Sequence, residues 1–588
     1  MTRDSADPTS PIIRASQVST SRPGNSRGWQ RIAGPAVILL AAGVATAPQL
    51  FRGNSCGHDF DIHLVSWFDC LSGWRHGILY PQWTPSPNYG AGEPRFIFYP
   101  PLTWMLGAAL GAVLPWQIVP IILTFLLLAA TGLGTRTLAL RALPDAPATL
   151  AGCVAIFSGY ALFTAYERSA FGELAGFWIP LLLLFILRNR NPDSSAVRRA
   201  FDGSCAPLAI VLAGAWLSNA PLGVMASYLL AAVALILAVL RRSWAPILRA
   251  TTAAGLGIAL AGFYLVPAAW EQRWVDIRQA TDDPGLKIEN SFLFARPSDP
   301  ALDLHNIELN RVSLIAISMA GIALAGLLVA WRRKTLPADR RWWIPLALIP
   351  IAVLFMQLPV SLPLWNLLPK LRFLQFPWRW LRVAVAAGCA ALFLASTAIA
   401  AIYFFQPCDD EDAVVPMVQV DRSGAGFEGV YEYEPIGADD GVVPTGLPDS
   451  CLVSNPSVRL GVLDTPGANP DWWVEQHSCD AVYSAMTGNP EHLHIQAAMP
   501  HAGYLILRLR TYPAWRITVN GRPVISMGRE DGLTVVPVDQ GRVEVDADWT
   551  TTADVHAGRW LSLLATILVT ALWLWERRTR APRSAHLS

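Results

Sequence analysis

Long apolar runs are the feature that most constrains this chain, because about 20 consecutive apolar residues are enough for a helix to cross a bilayer. Only 15% of the 588 residues are charged and 53% are hydrophobic, whereas soluble chains carry about 25% charged residues. The sequence therefore predicts a polytopic α-helical membrane protein with about 10–13 membrane helices. The candidate spans are 32–51, 101–114, 117–139, 147–165, 172–188, 206–219, 221–240, 250–269, 311–331, 342–358, 380–405 and 559–576.

Clusters of Arg and Lys predict which ends of the spans face the cytoplasm, since cytoplasmic loops carry an excess of these residues. Besides the N-terminal tail, the clusters are 188–199, 241–249, 332–341 and 577–583. The sequence thus divides into four predicted regions. They are a disordered cytoplasmic tail (1–30), a multi-span membrane domain (31–405) with outer loops 52–100 and 270–309, an extracytoplasmic β-rich domain (406–557), and a last membrane helix with a basic cytoplasmic tail (558–588).

Two short, proline-flanked runs, 101–114 and 359–369, do not fit this alternation if each crosses fully. They are candidate half-spans or re-entrant segments, which are tolerated where the backbone is buried in protein or lines a cavity. The alternative is that the charge rule fails at one short loop.

The net charge and the positions of the cysteines bear on the binding partners and on possible disulfides. The net charge is +1, so global charge predicts no nucleic-acid partner. Cysteines 56, 70, 408, 451 and 479 fall in segments predicted to lie outside. An oxidising compartment would allow Cys451 to pair with Cys479 or Cys408.

The first outer loop is the segment richest in chemical groups. Apolar residues from Phe60 to Ile78 recur on one helical face, which predicts a helix resting on the bilayer surface. Asp59 and His63 would project from its polar side, one turn apart. A carboxylate placed there suits a general base for an acceptor hydroxyl. Alternatively, Asp59 or Asp61 caps the helix, or His58, Asp59, Asp61 and His63 bind a divalent cation.

Other outer segments carry candidate ligands for a phosphate or polar substrate. Guanidinium groups match phosphate geometry, and charges between helices are costly unless they are paired or functional. Structural ion pairs are the alternative at the Glu93–Arg95 and Glu167–Arg168 positions. The candidate residues are Arg95, Glu167, Arg168, Glu173, Arg273 and Trp274.

Near the C-terminus the pattern changes to the alternation typical of strands. The runs are 504–510, 515–519, 533–538 and 543–545, and Asn520-Gly521 between two of them indicates a tight hairpin. We predict an outer-face β-sandwich before the last helix.

Several motifs together resemble bacterial membrane proteins of the 6-pyruvoyl-tetrahydropterin synthase-related family, which is close to the YfhO-like proteins. The family name refers to a small soluble zinc enzyme, whose pattern is absent here. The motifs are Gly57-His58-Asp59 with His63, Tyr80-Pro81-x-Trp83, Gly90-x-Gly92-x-Pro94, Phe98-Tyr99-Pro100-Pro101-Leu102, Arg168-Ser169-Ala170-Phe171, Ser218-Asn219-Ala220-Pro221, Glu271-Gln272-Arg273-Trp274, Gln375-Phe376-Pro377-Trp378-Arg379, and Tyr512-Pro513-x-Trp515 followed by Asn520-Gly521.

The resemblance implies a GT-C-like glycosyltransferase architecture in the bacterial cytoplasmic membrane, with the large loops facing the exterior. It implies an inverting transfer of a sugar from a polyprenyl-phosphate donor to an envelope glycan, lipid or protein acceptor. Asp59 matches the acidic position of the first loop best, although Asp61 competes for that role, and His63 lies nearby. Arg168, Arg273 and Arg95 would hold the phosphate. Two other functions stay open, a lipid or sugar transporter and a non-catalytic envelope-assembly protein.

Overall fold

The structure is a computed structural model, and it describes most of the chain. Of the predicted cytoplasmic tails, residues 1–25 and 579–588 lie outside the described residues, as do Cys479 and the first part of the predicted span 380–405. The described residues are 26–188, 195–282, 284–336, 339–377, 379, 390–409, 412–438, 443, 445–457, 480–481 and 484–578.

Helices account for most of the described residues, as the apolar runs predict. In chain order they are α1 (Ser26–Arg52), α2 (Phe60–Arg75), α3 (Arg95–Phe98), α4 (Pro101–Gly111), α5 (Val119–Ala139), α6 (Asp145–Ile156), α7 (Gly159–Tyr166), α8 (Phe171–Leu174), α9 (Trp178–Ile186), α10 (Ala196–Ala200), α11 (Cys205–Ser218), α12 (Ala220–Arg241), α13 (Ala245–Leu260), α14 (Gly262–Glu271), α15 (Gln279–Asp282), α16 (Asp303–Arg332), α17 (Arg340–Met356), α18 (Leu362–Leu367), α19 (Ala390–Tyr403), α20 (Val414–Ser423) and α21 (Ala553–Arg578).

Six helical segments of the described part are long and apolar enough to cross a bilayer: Ile32–Arg52, Val119–Ala139, Asp145–Tyr166, Ala220–Arg241, Pro300–Arg332 and Ala553–Arg578. Two further apolar segments are bent. Ala245–Leu260 and Gly262–Trp274 meet at 75°, and Arg340–Met356 and Pro359–Leu367 meet at 95°. Phe171–Ile186 and Cys205–Ser218 are shorter apolar helices.

Both runs predicted to be half-spans are short in the structure. The first forms α4, which has only 11 residues. The second forms the far arm of the 95° bend. Proline explains why both helices begin where they do, because it is tolerated in the first turn of a helix and disrupts the interior.

Segments predicted to share one side of the membrane meet in the structure. A disulfide joins Cys56 to Cys408, so Cys408 does not pair with Cys451, which forms a disulfide of its own. We call the end of the molecule that contains the Cys56–Cys408 disulfide the loop end. At the opposite, basic end, Arg249 donates hydrogen bonds to the carbonyls of Arg188 (2.7 Å) and Ala200 (3.1 Å). Which end faces the cytoplasm stays a prediction from charge.

One expectation about the first loop is wrong. The helix α2 does not rest on a bilayer surface, because most of its residues are buried and it packs against α4 and α20. Its polar side is covered as well. Ser86 donates a hydrogen bond to Asp69 (2.5 Å), and Arg95 donates one to Ser66 (3.2 Å). The apolar face recognised from the sequence is genuine, but the other face also meets protein instead of water.

The described residues of the β-rich region form two antiparallel sheets, in the order β2-β1-β5-β8 and β3-β4-β9-β6-β7. Apolar side chains of both sheets belong to one shared core, so the sheets pack face to face. The strands are β1 (Ser450–Val453), β2 (Asp480–Ala481), β3 (Ser484–Asn489), β4 (His492–Met499), β5 (Gly503–Arg510), β6 (Trp515–Val519), β7 (Arg522–Val524), β8 (Leu533–Val538) and β9 (Gly541–Trp549).

The predicted hairpin at Asn520-Gly521 is confirmed. These two residues connect β6 to β7, and both have a positive φ, 51° and 74°. A two-residue loop with positive φ at both positions is the type I′ turn that matches the twist of the flanking strands.

An aromatic cluster attaches the β-rich region to the loop end. Trp83 of the first loop contacts Tyr512, Trp515 and Trp549 at centroid distances of 5.4 to 6.2 Å. The Tyr512 hydroxyl donates a hydrogen bond to the buried Glu271 carboxylate at the end of α14 (2.6 Å). Because α14 also packs along α21, the region is fixed to the membrane helices before and after it.

Candidate active site

The motif Gly57-His58-Asp59 lies where the first loop docks against the segment between α7 and α8. The Gly57 amide donates a hydrogen bond to the Ser169 hydroxyl (3.1 Å), and the Asp59 amide donates one to the Arg168 carbonyl (3.0 Å). A Cβ atom on Gly57 would lie 2.2 Å from the Glu167 carbonyl oxygen. Glycine is therefore required here for close approach of two backbones.

Replacing Gly57 with alanine should push the two segments apart, because the clashing atom belongs to backbone and cannot rotate away. We expect a loss of about 1–3 kcal/mol or more in stability, measured by thermal unfolding of the purified protein in detergent. Gly43→Ala is the matched control, since nothing lies within 4 Å of the added Cβ there. Equal melting temperatures for the two variants would contradict this account of the motif.

The docking brings Asp59 and Arg168 together. A guanidinium nitrogen of Arg168 lies 3.3 Å from the Asp59 carboxylate, and another lies 2.9 Å from the Glu173 carboxylate. Arg168 and Glu173 are buried, whereas the Asp59 side chain is 27% exposed. Asp59 precedes α2 without capping it through its side chain, so its carboxylate is available for the contact with Arg168. Two candidates from separate segments thus form one site.

Arg379 completes this network, although its sequence context does not indicate a ligand. Its guanidinium lies 2.7 Å from the same Glu173 oxygen that Arg168 contacts. The hydroxyl of Tyr160 donates to the other Glu173 oxygen (3.0 Å). The ring of Phe376 lies 5.6 Å from the Arg168 guanidinium and 5.1 Å from that of Arg379. The result is a pair of buried cations held by one carboxylate. The basic Arg379 next to aromatic residues resembled an ordinary interfacial anchor.

A second layer of ion pairs surrounds Asp59. His58 lies 3.2 Å from the carboxylate of Glu308, near the start of α16. Glu167 is buried and lies 3.5 Å from Arg311 of the same helix. These pairs join the first loop and the α7–α8 segment to α16.

The His63 side chain takes no part in the contact between Asp59 and Arg168. Its ring is buried and lies edge-on to Phe171 and Tyr99, at centroid distances of 5.1 and 5.7 Å. Burial lowers the pKa of His63 to about 4, so the ring is neutral at physiological pH. It packs among these aromatic rings, with the Tyr99 hydroxyl 3.4 Å from its Nε2 atom, and no hydrogen bond or ion pair joins it to Asp59 among the described residues.

The predicted cation site at His58, Asp59, Asp61 and His63 is not formed. Within the described residues, no three His, Cys, Asp or Glu side chains are grouped so that they could hold a metal ion. Four residues at the start of a helix point in different directions: His58 contacts Glu308, Asp59 contacts Arg168, His63 is buried, and Asp61 is exposed. Asp61 therefore also lacks the contact with Arg168 that distinguishes Asp59.

Arg95 forms the ion pair that was the structural alternative for the Glu93–Arg95 positions. It is 1% exposed, and its guanidinium lies 2.5 Å from the buried Glu93 carboxylate. It also donates hydrogen bonds to the Ile62 carbonyl and the Ser66 hydroxyl. Arg95 does not contact Asp59, Arg168 or Glu173 among the described residues, so a role as phosphate ligand stays a prediction.

Arg273 and Trp274 are placed apart from the Asp59–Arg168 contact. The Arg273 guanidinium lies 4.0 Å from the ring centre of Trp270, and Trp274 packs edge-on against Tyr512. Within the described part of the chain, no hydrogen bond, ion pair or ring contact links Arg273 to Asp59, Arg168 or Glu173. Of the residues that the resemblance assigns to the base and to the phosphate, Asp59 and Arg168 therefore contact each other, and Arg273 contacts neither of them.

A large apolar groove runs between α5, α6 and α9 on one side and α16 and α17 on the other. Its volume is about 960 Å³, and side chains such as Leu183, Leu324 and Leu346 line it. A narrow cavity of about 90 Å³ shares Thr135, Leu138 and Leu183 with this groove. The same cavity is lined by Tyr160 and Glu173. The groove therefore adjoins a cavity that is lined by one carboxylate of the buried ion network.

Comparison with known proteins gives a family and two distant structures. No curated protein matches the sequence. The archaeal oligosaccharyltransferase AglB from Archaeoglobus fulgidus, solved with an inhibitory peptide and a dolichol-phosphate, is 11% identical over 68% of this chain and 57% of its own, with a TM-score of 0.34. ArnT from Cupriavidus metallidurans, bound to undecaprenyl phosphate, is 16% identical over 63% of this chain and 78% of its own, with a TM-score of 0.29. Both scores are too low to assign fold or function.

The family match is more extensive. The profile described as "6-pyruvoyl-tetrahydropterin synthase related domain; membrane protein" matches residues 96–401, which is more than half of the chain. The matched region contains Arg168, Glu173 and Arg379 and most of the membrane helices. The chain belongs to this family of 6-pyruvoyl-tetrahydropterin synthase-related membrane proteins.

Proposed function

We propose that the protein transfers a sugar from a polyprenyl-phosphate donor to an acceptor, at the outer face of a bacterial cytoplasmic membrane. One observation carries the proposal. A large apolar groove adjoins a narrow cavity that is lined by Glu173, the carboxylate that two buried guanidinium groups share. An apolar chain and an anionic head would be accommodated together by this arrangement.

In this proposal the polyprenyl tail occupies the groove and the phosphate lies at Arg168 and Arg379. Guanidinium groups bind phosphate oxygens bidentately, and fixed positive charge at the leaving phosphate stabilises the transition state. Arg168 and Arg379 carry two positive charges against the one buried carboxylate of Glu173, and the partly exposed Asp59 is the only other carboxylate that contacts them among the described residues. A phosphate could therefore take part in the pairing of the two guanidinium groups. Asp59 holds Arg168 in place and borders the space from which an acceptor would approach.

The reaction would be a single displacement at the anomeric carbon, with inversion of its configuration. The donor is already activated because its leaving group is a phosphate, so the site needs a base for the acceptor hydroxyl and accurate positioning of both substrates. The identity of the sugar and of the acceptor, whether glycan, lipid or protein, is left open by the proposal.

The proposal is tested with purified protein, radiolabelled mannose, glucose or arabinose on undecaprenyl phosphate, and a membrane extract as the acceptor source. We expect transfer of label from one of these donors. Gly321→Trp should reduce that transfer by about tenfold or more, equivalent to about 1.4 kcal/mol, because Gly321 lines the groove with open space beside its Cα.

Gly255→Trp is the matched control, since Gly255 is exposed on α13 and does not line the groove. If none of the donors supplies label to any acceptor, the proposed function is wrong. If Gly321→Trp transfers label as fast as the wild type, the groove does not hold the lipid.

A further inference from the structure

The Cys56–Cys408 disulfide joins segments that are 352 residues apart, and it lies just before Asp59 in the first loop. Both cysteines are half-buried, so a small reductant can reach the bond. The backbones beside the disulfide pair as well, because the Cys56 amide donates to the Gln406 carbonyl (3.0 Å). The Gln406 amide donates in turn to the Ser55 hydroxyl (3.0 Å). The segment after α19 therefore holds the start of the first loop.

The start of the first loop also binds the segment that carries Arg168. The Ser55 hydroxyl donates a hydrogen bond to the Tyr166 carbonyl (2.6 Å), and the Ser55 carbonyl accepts one from the Ser169 hydroxyl (2.6 Å). The Ser169 hydroxyl also accepts the hydrogen bond from the Gly57 amide. Ser55 and Ser169 are each 1% exposed, so these bonds are shielded from water. The disulfide is thus linked to the α7–α8 segment through a short chain of buried hydrogen bonds.

Ser169 has a backbone conformation that needs this support. Its φ is 48°, in the left-handed region that a residue with a side chain rarely adopts. Strained conformations persist where the surrounding structure over-determines them, and here the hydrogen bonds to Ser55 and Gly57 do so. Arg168 immediately precedes Ser169, and its carbonyl accepts the hydrogen bond from the Asp59 amide. Relaxation of the turn at Ser169 would therefore separate Arg168 from Asp59.

We propose that the Cys56–Cys408 disulfide is a redox-dependent positioning element, which keeps Asp59 in contact with Arg168. Its effect on sugar transfer rests on the proposed function, whereas its effect on the first loop does not. Disulfides form and persist in oxidising compartments, so the contact is secured only where the loop end faces such a compartment. Reduction by an added dithiol breaks the S–S bond with two electrons and two protons, leaves two thiols, and converts the dithiol to its own disulfide. Because α2 is mostly buried, the part that is released is the segment 53–59.

Hydrogen–deuterium exchange followed by mass spectrometry tests the structural effect without turnover. We compare the oxidised wild type, the double variant Cys56→Ala/Cys408→Ala, and the wild type after reduction. Peptides that cover residues 55–60 should exchange about tenfold faster or more in the last two samples, equivalent to about 1.4 kcal/mol of local opening. Because Cys451 also forms a disulfide, reductant is added to the double variant as the control, and it should not accelerate exchange of these peptides further.

Label transfer from the donor that the wild type uses tests the effect on the reaction. The kcat of the double variant should fall about 10- to 100-fold, since a displacement of about 1 Å in a catalytic group can cost about 100-fold in rate. The KM for the donor should change much less, because Arg168 stays paired with Glu173. Reductant should lower the kcat of the wild type, reoxidation should restore it, and neither treatment should change the kcat of the double variant.

Three outcomes would overturn the inference. One is unchanged exchange of residues 55–60 in the double variant or in the reduced wild type. Another is an unchanged kcat in a double variant whose first loop does exchange faster, which would make the disulfide a stabilising bond alone. The third is a loss of rate that reductant causes equally in the double variant. A wild type that transfers no sugar would instead refute the proposed function, and the exchange measurement would still decide whether the disulfide holds the first loop.

Discussion

Replacing Arg168 with alanine is expected to slow sugar transfer about 100- to 1000-fold, the range found when a preorganised donor to a developing negative charge is removed. Arg168 is buried, is fixed by Glu173 and Asp59, and its partner Glu173 lines the narrow cavity that shares residues with the groove. Its charge would thus be oriented toward the leaving phosphate before the reaction begins. The measurement is kcat with the donor that the wild type accepts.

Arg273→Ala is the informative control, because the sequence predicts Arg273 as a phosphate ligand alongside Arg168. In the structure its guanidinium stacks on Trp270, a contact that is worth about 0.5–1 kcal/mol at an exposed site. We expect the rate of this variant to stay within a few-fold of the wild type. A loss at Arg273 as large as the loss at Arg168 would show that the phosphate site has been misplaced.

Replacing Glu173 with glutamine is expected to cause the largest loss of stability. The side chain of Glu173 is 3% exposed and is the shared partner of Arg168 and Arg379. Removing the negative charge of Glu173 leaves two buried guanidinium groups without the carboxylate that they share. Breaking a buried ion pair in this way costs about 3–5 kcal/mol. The free energy of unfolding in mixed detergent micelles is the quantity to measure.

A second substitution distinguishes this cause from loss of packing. Glu173→Gln combined with Arg379→Met removes one of the uncompensated charges, so the double variant should recover part of the lost stability. Glu544→Gln is the surface control, since its pairing with Arg542 is exposed and such pairs contribute about 0–1 kcal/mol. If Glu173→Gln is no less stable than Glu544→Gln, the buried network does not hold the loop end together.

The parts of the fold that depend on neighbouring residues in the sequence were predictable. The strand Trp515–Val519 and the turn after it follow from alternation and from residues that tolerate positive φ, both of which are local properties. The long spans follow from apolar length in the same way. Burial of α2 did not follow, because its second face is covered by side chains that arrive from Ser86 and from α20.

In the candidate site, too, features set by neighbouring residues were predictable, whereas contacts between distant segments were not. Asp59 and Arg168 were both selected, because each is a charge at the end of an apolar run where solvation alone does not account for it. Their contact with each other depends on the close approach at Gly57. The role of Arg379 had no local signal, since a basic residue beside aromatic residues is also typical of an interfacial anchor. The predicted cation site was wrong because adjacency in the sequence was taken for convergence in space.

The fixation of the β-rich region at both of its ends affects how this protein can be dissected. The region leaves the membrane helices after α19 and rejoins them at α21, and Tyr512 and Thr552 both donate hydrogen bonds to the buried Glu271 carboxylate of α14. Removing the region would take these donors from Glu271 and would uncover Trp83, which packs against Tyr512 and Trp549. A buried carboxylate that loses its hydrogen-bond partners is costly, so each part should be less stable alone than in the intact chain.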